Sequence, residues 1–140
     1  MASGDVLTFP ATRPGFSDAF GRFRRALDGR ALSPGARYRS ELTFEEIVAN
    51  IVRHGDHGPG EHEIVVTIDT TPDGVVLVFE DDGICFNPSL HHPPSGRPTS
   101  LAETQSGGRG LWLVRVAAKS VEYERTPQDR NRVTVTIAAD

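Results

Sequence analysis

The sequence predicts a mixed α+β domain, and three observations carry that reading. Between Ala36 and His54, Phe44, Ile47, Val48, Ile51 and Val52 fall at the i, i+3, i+4, i+7, i+8 spacing of a helix with one core-facing stripe. The runs "HEIVVTID" and "GVVLVFE" are rich in β-branched side chains and flank "TTPDG", so they read as two strands of a hairpin. Two further runs of the same kind, "SVEYE" and "RVTVTIA", lie near the end of the chain.

Taken in order, "DVLTF" at 5–9 is a candidate edge strand, after which Pro10 and Pro14 interrupt the pattern. Phe16, Ala19, Phe20, Phe23 and Leu27 recur at helical spacing, predicting a first amphipathic helix over 17–32. "SPG" at 33–35 separates it from the second helix, over 36–54, and "DHGPG" ends that one. The four strands follow in two pairs. Between the pairs, residues 87–108 are rich in Pro, Ser and Gly and lack periodicity, the composition of a binding loop or lid. "RGLWLVRVAAKS" then resumes helical spacing through Leu113, Val114, Ala117 and Ala118, so a glycine-rich mouth opens a third helix.

A chain of 140 residues fits one domain, 1–140, and burying about 65 to 70 % of its unfolded surface gives it a single core. With 15 Lys and Arg against 19 Asp and Glu the net charge is -4, and no long basic run appears. The electrostatic footprint of a nucleic-acid binder is therefore missing. The one cysteine, Cys85, has no internal disulfide partner, and neither a signal segment nor a long apolar span is present. The expectation is a cytoplasmic protein without membrane contact. His54, His57 and His62 lie close together, but no cysteine or spaced carboxylate completes a zinc set.

Three stretches could carry chemistry. Glu46 and Asn50 are four apart, so they share one face of the second helix, roughly opposite its apolar stripe and away from its core contact. Alone, such a pair is an ordinary solvated face. "EDDGICF" at 80–86 places three consecutive carboxylates at a strand end, where they repel one another unless a donor or a cation answers them. Alternation predicts Glu80 and Asp82 on the solvent side, opposite Asp81. A carboxylate there can accept a hydrogen bond from an exocyclic amine, and Gly83 permits a tight turn against a flat ring. "GGRG" at 107–110 lets backbone approach a ligand closely at a helix N-terminus, which suits a phosphate. No Gly-Lys-Ser/Thr follows as in a P-loop, and no Gly-x-Gly-x-x-Gly follows a strand as in a dinucleotide site.

In order and spacing, Glu46-x-x-x-Asn50, Asp81-x-Gly83 before Phe86, and Gly107-Gly108-Arg109-Gly110-Leu111 resemble the three nucleotide-binding boxes of the GHKL ATPase superfamily. The resemblance spans about 41–137 and is closest to the bacterial anti-sigma factor serine/threonine kinases, which carry a histidine kinase-like ATPase domain. It implies a two-layer α/β sandwich, with helices on one face of a mixed, mostly antiparallel sheet. Cys85 stands where these kinases often have proline, and Asn87 where aspartate is frequent.

Carried over by residue, the resemblance implies ATP and Mg²⁺ as cofactors. Asp81 would accept the adenine amino group, Gly83 would make room for the base, and Phe86 belongs to the same box. Asn50 would coordinate the Mg²⁺ that bridges the triphosphate, and His54, one turn further on, would support the pocket. Gly107, Gly108, Gly110 and Leu111 would wrap the phosphates, with Arg109 beside them or in solvent, and 87–108 would be the ATP lid. Glu46 would be the general base for an attacking serine hydroxyl. The implied partners are a sigma factor and a small anti-sigma factor antagonist that is phosphorylated, with a homodimer as the oligomeric state. The alternative is a nucleotide-dependent protein-binding module without phosphotransfer. Trp112 is expected in the core or at an interface.

Overall fold

The computed structural model describes residues 4–54, 60–83 and 108–140, with the backbone alone for 54 and 108–111. Strand β1 (Asp5–Pro10) is followed by helices α1 (Arg13–Asp28) and α2 (Pro34–His54) and by strands β2 (Glu63–Thr71) and β3 (Gly74–Asp81). Helix α3 (Gly108–Ala117) and strands β4 (Ser120–Arg125) and β5 (Asn131–Ala138) complete the described elements. The sheet order is β1-β2-β3-β5-β4, and each of these pairings is antiparallel.

The two early helices begin sooner than their periodicity suggests, for local reasons. Thr12 caps α1 by accepting from the Gly15 N–H at 3.1 Å, and Pro14 sits in the first turn, where its missing N–H costs nothing. Gly15 is required at that point, since a Cβ there would lie 2.2 Å from the Pro10 carbonyl oxygen. Ser33 does the same for α2, accepting from the Ala36 N–H at 3.0 Å ahead of Pro34. "SPG" is thus a helix start as much as a separator. Leu32, expected inside the first helix, instead packs on the core from the connection.

One face of the sheet is covered. Leu7 and Phe9, Ile64, Val66 and Ile68, Val75, Leu77 and Phe79, and Val133, Val135 and Ile137 are buried against Ala19, Phe23 and Leu27 of α1, Phe44, Ile47, Val48 and Ile51 of α2, and Val114 of α3. The opposite face carries half-exposed residues such as Val65, Thr67, Val76, Val78, Thr134 and Thr136. Helices therefore lie on one side only of the described sheet, as a two-layer α+β sandwich requires. Phe44 stands at the centre, its ring 4.3 Å from that of Phe23 and 5.9 to 6.4 Å from those of Phe9, Phe16, Phe20 and Phe79. Helix α2 touches α1, α3, β3 and β5, which makes it the hub of the helical layer. No described helix is long and apolar enough to cross a membrane.

Candidate functional site

Along β3, alternation carries Val75, Leu77 and Phe79 under the helices, and the next residue of that row is Asp81. Its side chain is 4 % exposed, so a carboxylate occupies a place that an aliphatic group would otherwise fill. Two donors support it: the Gly83 backbone N–H at 2.9 Å and the Asn131 side-chain amide at 3.4 Å, both on Oδ2. Glu80 lies on the other face as alternation predicts, but it is half-buried beneath cations. Arg132, its cross-strand partner, reaches it at 2.8 Å and Arg130 at 3.3 Å. The bond to Glu80 holds the Arg132 guanidinium above its ordinary pKa. Asp82 is exposed and faces His62 Nδ1 at 2.8 Å. The mutual repulsion of "EDD" is thus answered at each position by a different partner, and the expectation of simple solvation fails for Glu80 because the β5 register brings an arginine opposite it.

Asn131, which sequence reasoning missed, is 4 % exposed and pairs across the sheet with Asp81. Its Nδ2 also donates to the Gly83 carbonyl at 3.5 Å, while its Oδ1 accepts from the Tyr123 hydroxyl at 2.6 Å and from Arg125 Nη1 at 3.1 Å. Arg125 Nη1 donates in turn to the Gly83 carbonyl at 2.8 Å. The available clue was small: Asn131 is a polar residue in phase with Val133, Val135 and Ile137, where alternation demands an apolar side chain.

On α2, Asn50 is buried at 5 % exposure and Glu46 is half-buried, which corrects the expectation that their face points away from the core. The reason is that α2 is packed on more than one side. Besides the apolar stripe, a second row containing Ala36, Ser40, Thr43 and Ile47 is buried, and Asn50 lies at its edge. Glu46 sits about 40° further round, at about 100° per residue, where water still reaches it. Burial raises its pKa, and the neighbouring Glu45 carboxylate adds to the effect, while Arg53 opposes it. His54 is the last residue of α2.

Gly108, Arg109, Gly110 and Leu111 form the first turn of α3, so the glycine cluster does open a helix. Helix α2 touches both β3 and α3, so the element that carries Glu46 and Asn50 adjoins each of the other two motif-bearing elements. Phe86, Gly107 and residues 87–107 of the expected lid lie outside the described residues, as do Cys85 and Asn87. Trp112 is half-buried and, with Arg115, Val116, Lys119 and Val121, lines a groove of about 410 Å³.

Residues 9–137 match the family described as a histidine kinase-like ATPase domain. The serine/threonine-protein kinase BtrW of Bordetella bronchiseptica is 34 % identical over 104 residues, covering 72 % of this chain and 71 % of BtrW. Among solved structures, a chain of the SiaB–SiaC complex from Pseudomonas aeruginosa superposes with a TM-score of 0.60 at 17 % identity, over 95 % of this chain and 88 % of that one. The histidine kinase domain of a blue-light activated histidine kinase from Erythrobacter litoralis EL346 gives a TM-score of 0.54 at 15 % identity, over 89 % of this chain and 61 % of that one. At those identities the two structures speak to the fold, and they agree with the α+β sandwich described above. The family match spans all eight described elements in whole or in part, from the end of β1 to β5, and on it the chain belongs to the histidine kinase-like ATPase domain family.

Proposed function

We propose that the chain is an ATP-dependent serine/threonine protein kinase. In this reading it works in the cytoplasm, as a homodimer, as an anti-sigma factor or similar partner-switching regulator that phosphorylates a small antagonist protein. The observation that carries the reading is the 34 % identity, over 104 residues, with a protein named as a serine/threonine-protein kinase. Asp81 accepts the amino group of adenine, with Gly83 and Phe86 beside the base. Gly107, Gly108, Gly110 and Leu111 surround the phosphates, with Arg109 and His54 near them. Asn50 fits a Mg²⁺ ligand: its side-chain carbonyl supplies an oxygen donor, the atom type a hard cation takes, from the edge of a buried helix face. Bound there, Mg²⁺ would neutralise charge on the triphosphate. Glu46 takes the proton of the attacking serine hydroxyl, and burial supports that role by bringing its pKa closer to working pH.

The test is radiolabelled transfer from ATP to a small protein recovered as a partner from the native cell. A positioned base contributes about 10² to 10⁴-fold, so Glu46→Ala should cut transfer by that order while leaving ATP affinity intact. Asn50→Ala should lower both, because the Mg²⁺ it would hold would neutralise charge on the triphosphate. If the unmodified protein transfers nothing to any recovered partner yet binds one only when ATP is present, the kinase reading gives way to a nucleotide-dependent binding module.

A further inference from the structure

We infer that Arg125, acting through Asn131, is a positioning residue that sets the polarity of the Asp81 site and so its preference for a base with an exocyclic amine. The inference rests on the reading of Asp81 as the base-recognising residue. It begins from donor and acceptor chemistry. A guanidinium has N–H donors only and keeps its proton at every pH of interest. Arg125 Nη1 reaches two acceptors, the Gly83 carbonyl at 2.8 Å and Asn131 Oδ1 at 3.1 Å. An amide has one oxygen and one NH₂, so fixing which end meets Arg125 fixes the other end as well. The flipped amide would set its N–H groups against the Arg125 guanidinium and leave its oxygen against the Asp81 carboxylate, two repulsive contacts in place of two attractive ones. Tyr123 reinforces the same orientation by donating to Oδ1 at 2.6 Å.

The consequence reaches Asp81. Asn131 presents N–H to Oδ2 at 3.4 Å, and the Gly83 N–H joins it at 2.9 Å, so two protein donors converge on that oxygen. A carboxylate held in this way accepts and does not donate. A base edge that reaches it must therefore bring a hydrogen, as an amino group does and a carbonyl does not. The same guanidinium pins the carbonyl of Gly83, the residue whose N–H completes the Asp81 turn, so one side chain holds both the direction of the hydrogen bonds and the turn that delivers them. Asn131 and Asp81 are 4 % exposed, so water does little to blur the polarity.

The experiment is calorimetric binding of Mg-ATP and of Mg-ITP, whose base carries a carbonyl where adenine carries the amine. Thermal unfolding of each variant is followed alongside. One hydrogen bond is worth about 1 kcal/mol, so Arg125→Met should narrow the preference for ATP about fivefold to tenfold. Arg125→Lys keeps a cationic donor and should hold the preference within about threefold of the unmodified protein. A role confined to stability would lower the melting temperature of the Met variant and leave the ATP-to-ITP ratio unchanged, and that result overturns the inference. Should Arg125→Met fail to fold, Tyr123→Phe removes the second donor on Oδ1 and must narrow the same ratio about twofold or more, or the inference falls. Asp81→Asn separates the two levels. If it abolishes the preference while Arg125→Met does not touch it, only the role of Arg125 is refuted. If the unmodified protein binds ATP and ITP equally, the reading of Asp81 falls and takes this inference with it.

Discussion

Asp81 occupies the last core-row position of β3, and a buried carboxylate is costly unless its hydrogen bonds are made. Gly83 and Asn131 supply two of them, and in the proposed function a nucleotide adds another. Asp81→Asn should weaken Mg-ATP binding by about 1 to 3 kcal/mol and reduce the margin over GTP, whose base offers a carbonyl at that point; equal calorimetric affinities for the two nucleotides in the unmodified protein would dismiss the adenine assignment. Glu46 gives a different residue-scale test. Its pKa is raised in the folded state, first by burial and then by Glu45, so ionisation is harder in the folded chain than in the unfolded one. Stability linked to this group is present at low pH, where it is protonated in both states, and is lost as pH rises through the raised folded value. Glu46→Gln mimics the neutral form at every pH. Its melting temperature relative to the unmodified protein should therefore climb as pH rises from about 4, the ordinary carboxylate range, through the raised folded value. A difference that does not change with pH would show that burial at Glu46 goes unfelt.

At the scale of elements, the sequence discloses kinds better than boundaries. Helical spacing and β-branched runs mark all eight described elements from local pattern alone, and the glycine cluster before "LWLVRV" marks the open mouth of α3. Helix starts were harder, because Pro14 and Pro34 are breakers inside a helix and favourable in its first turn, and only the cap decides between the two. The cap yields a prediction: Thr12→Ala removes the acceptor for the Gly15 N–H and should cost about 1 kcal/mol in denaturant unfolding, while Thr12→Ser should cost little. The candidate site was legible where its residues are close in sequence, as Glu46 and Asn50 are, or follow one strand's alternation, as Asp81 does. What sequence did not disclose depends on register between distant strands. The contact of Asn131 with Asp81 and that of Arg132 with Glu80 arise only when β5 pairs with β3, some fifty residues away. The burial of Asn50 was hidden for a similar reason, since a single apolar stripe on α2 does not reveal the second buried row through Ser40 and Thr43.

Across the whole molecule, the helical layer is joined to the sheet through Phe44. Its side chain is fully buried, and its ring meets those of Phe9 on β1, Phe16, Phe20 and Phe23 on α1, and Phe79 on β3. Arg30, in the connection after α1, ties β1 to β2: its side chain, 4 % exposed, donates to Asp5 at 2.8 Å, to the Ile68 carbonyl at 3.2 Å and to Thr70. Truncating Phe44 leaves a cavity bordered by four elements, so Phe44→Ala should cost about 3 to 5 kcal/mol, a large share of the 5 to 15 kcal/mol typical of a domain. The loss should be global, with fluorescence of Trp112 on α3 and far-ultraviolet dichroism of the whole chain reporting one coincident transition in urea. Helix α2 also carries Glu46 and Asn50, so the same substitution asks whether the hub shapes the site or only supports it. If it only supports it, saturating Mg-ATP adds the same increment of stability to Phe44→Ala as to the unmodified protein, because that increment depends only on ligand concentration and affinity for the folded state. A markedly smaller increment in the variant would mean that the packing of Phe44 holds α2 in the geometry the nucleotide needs.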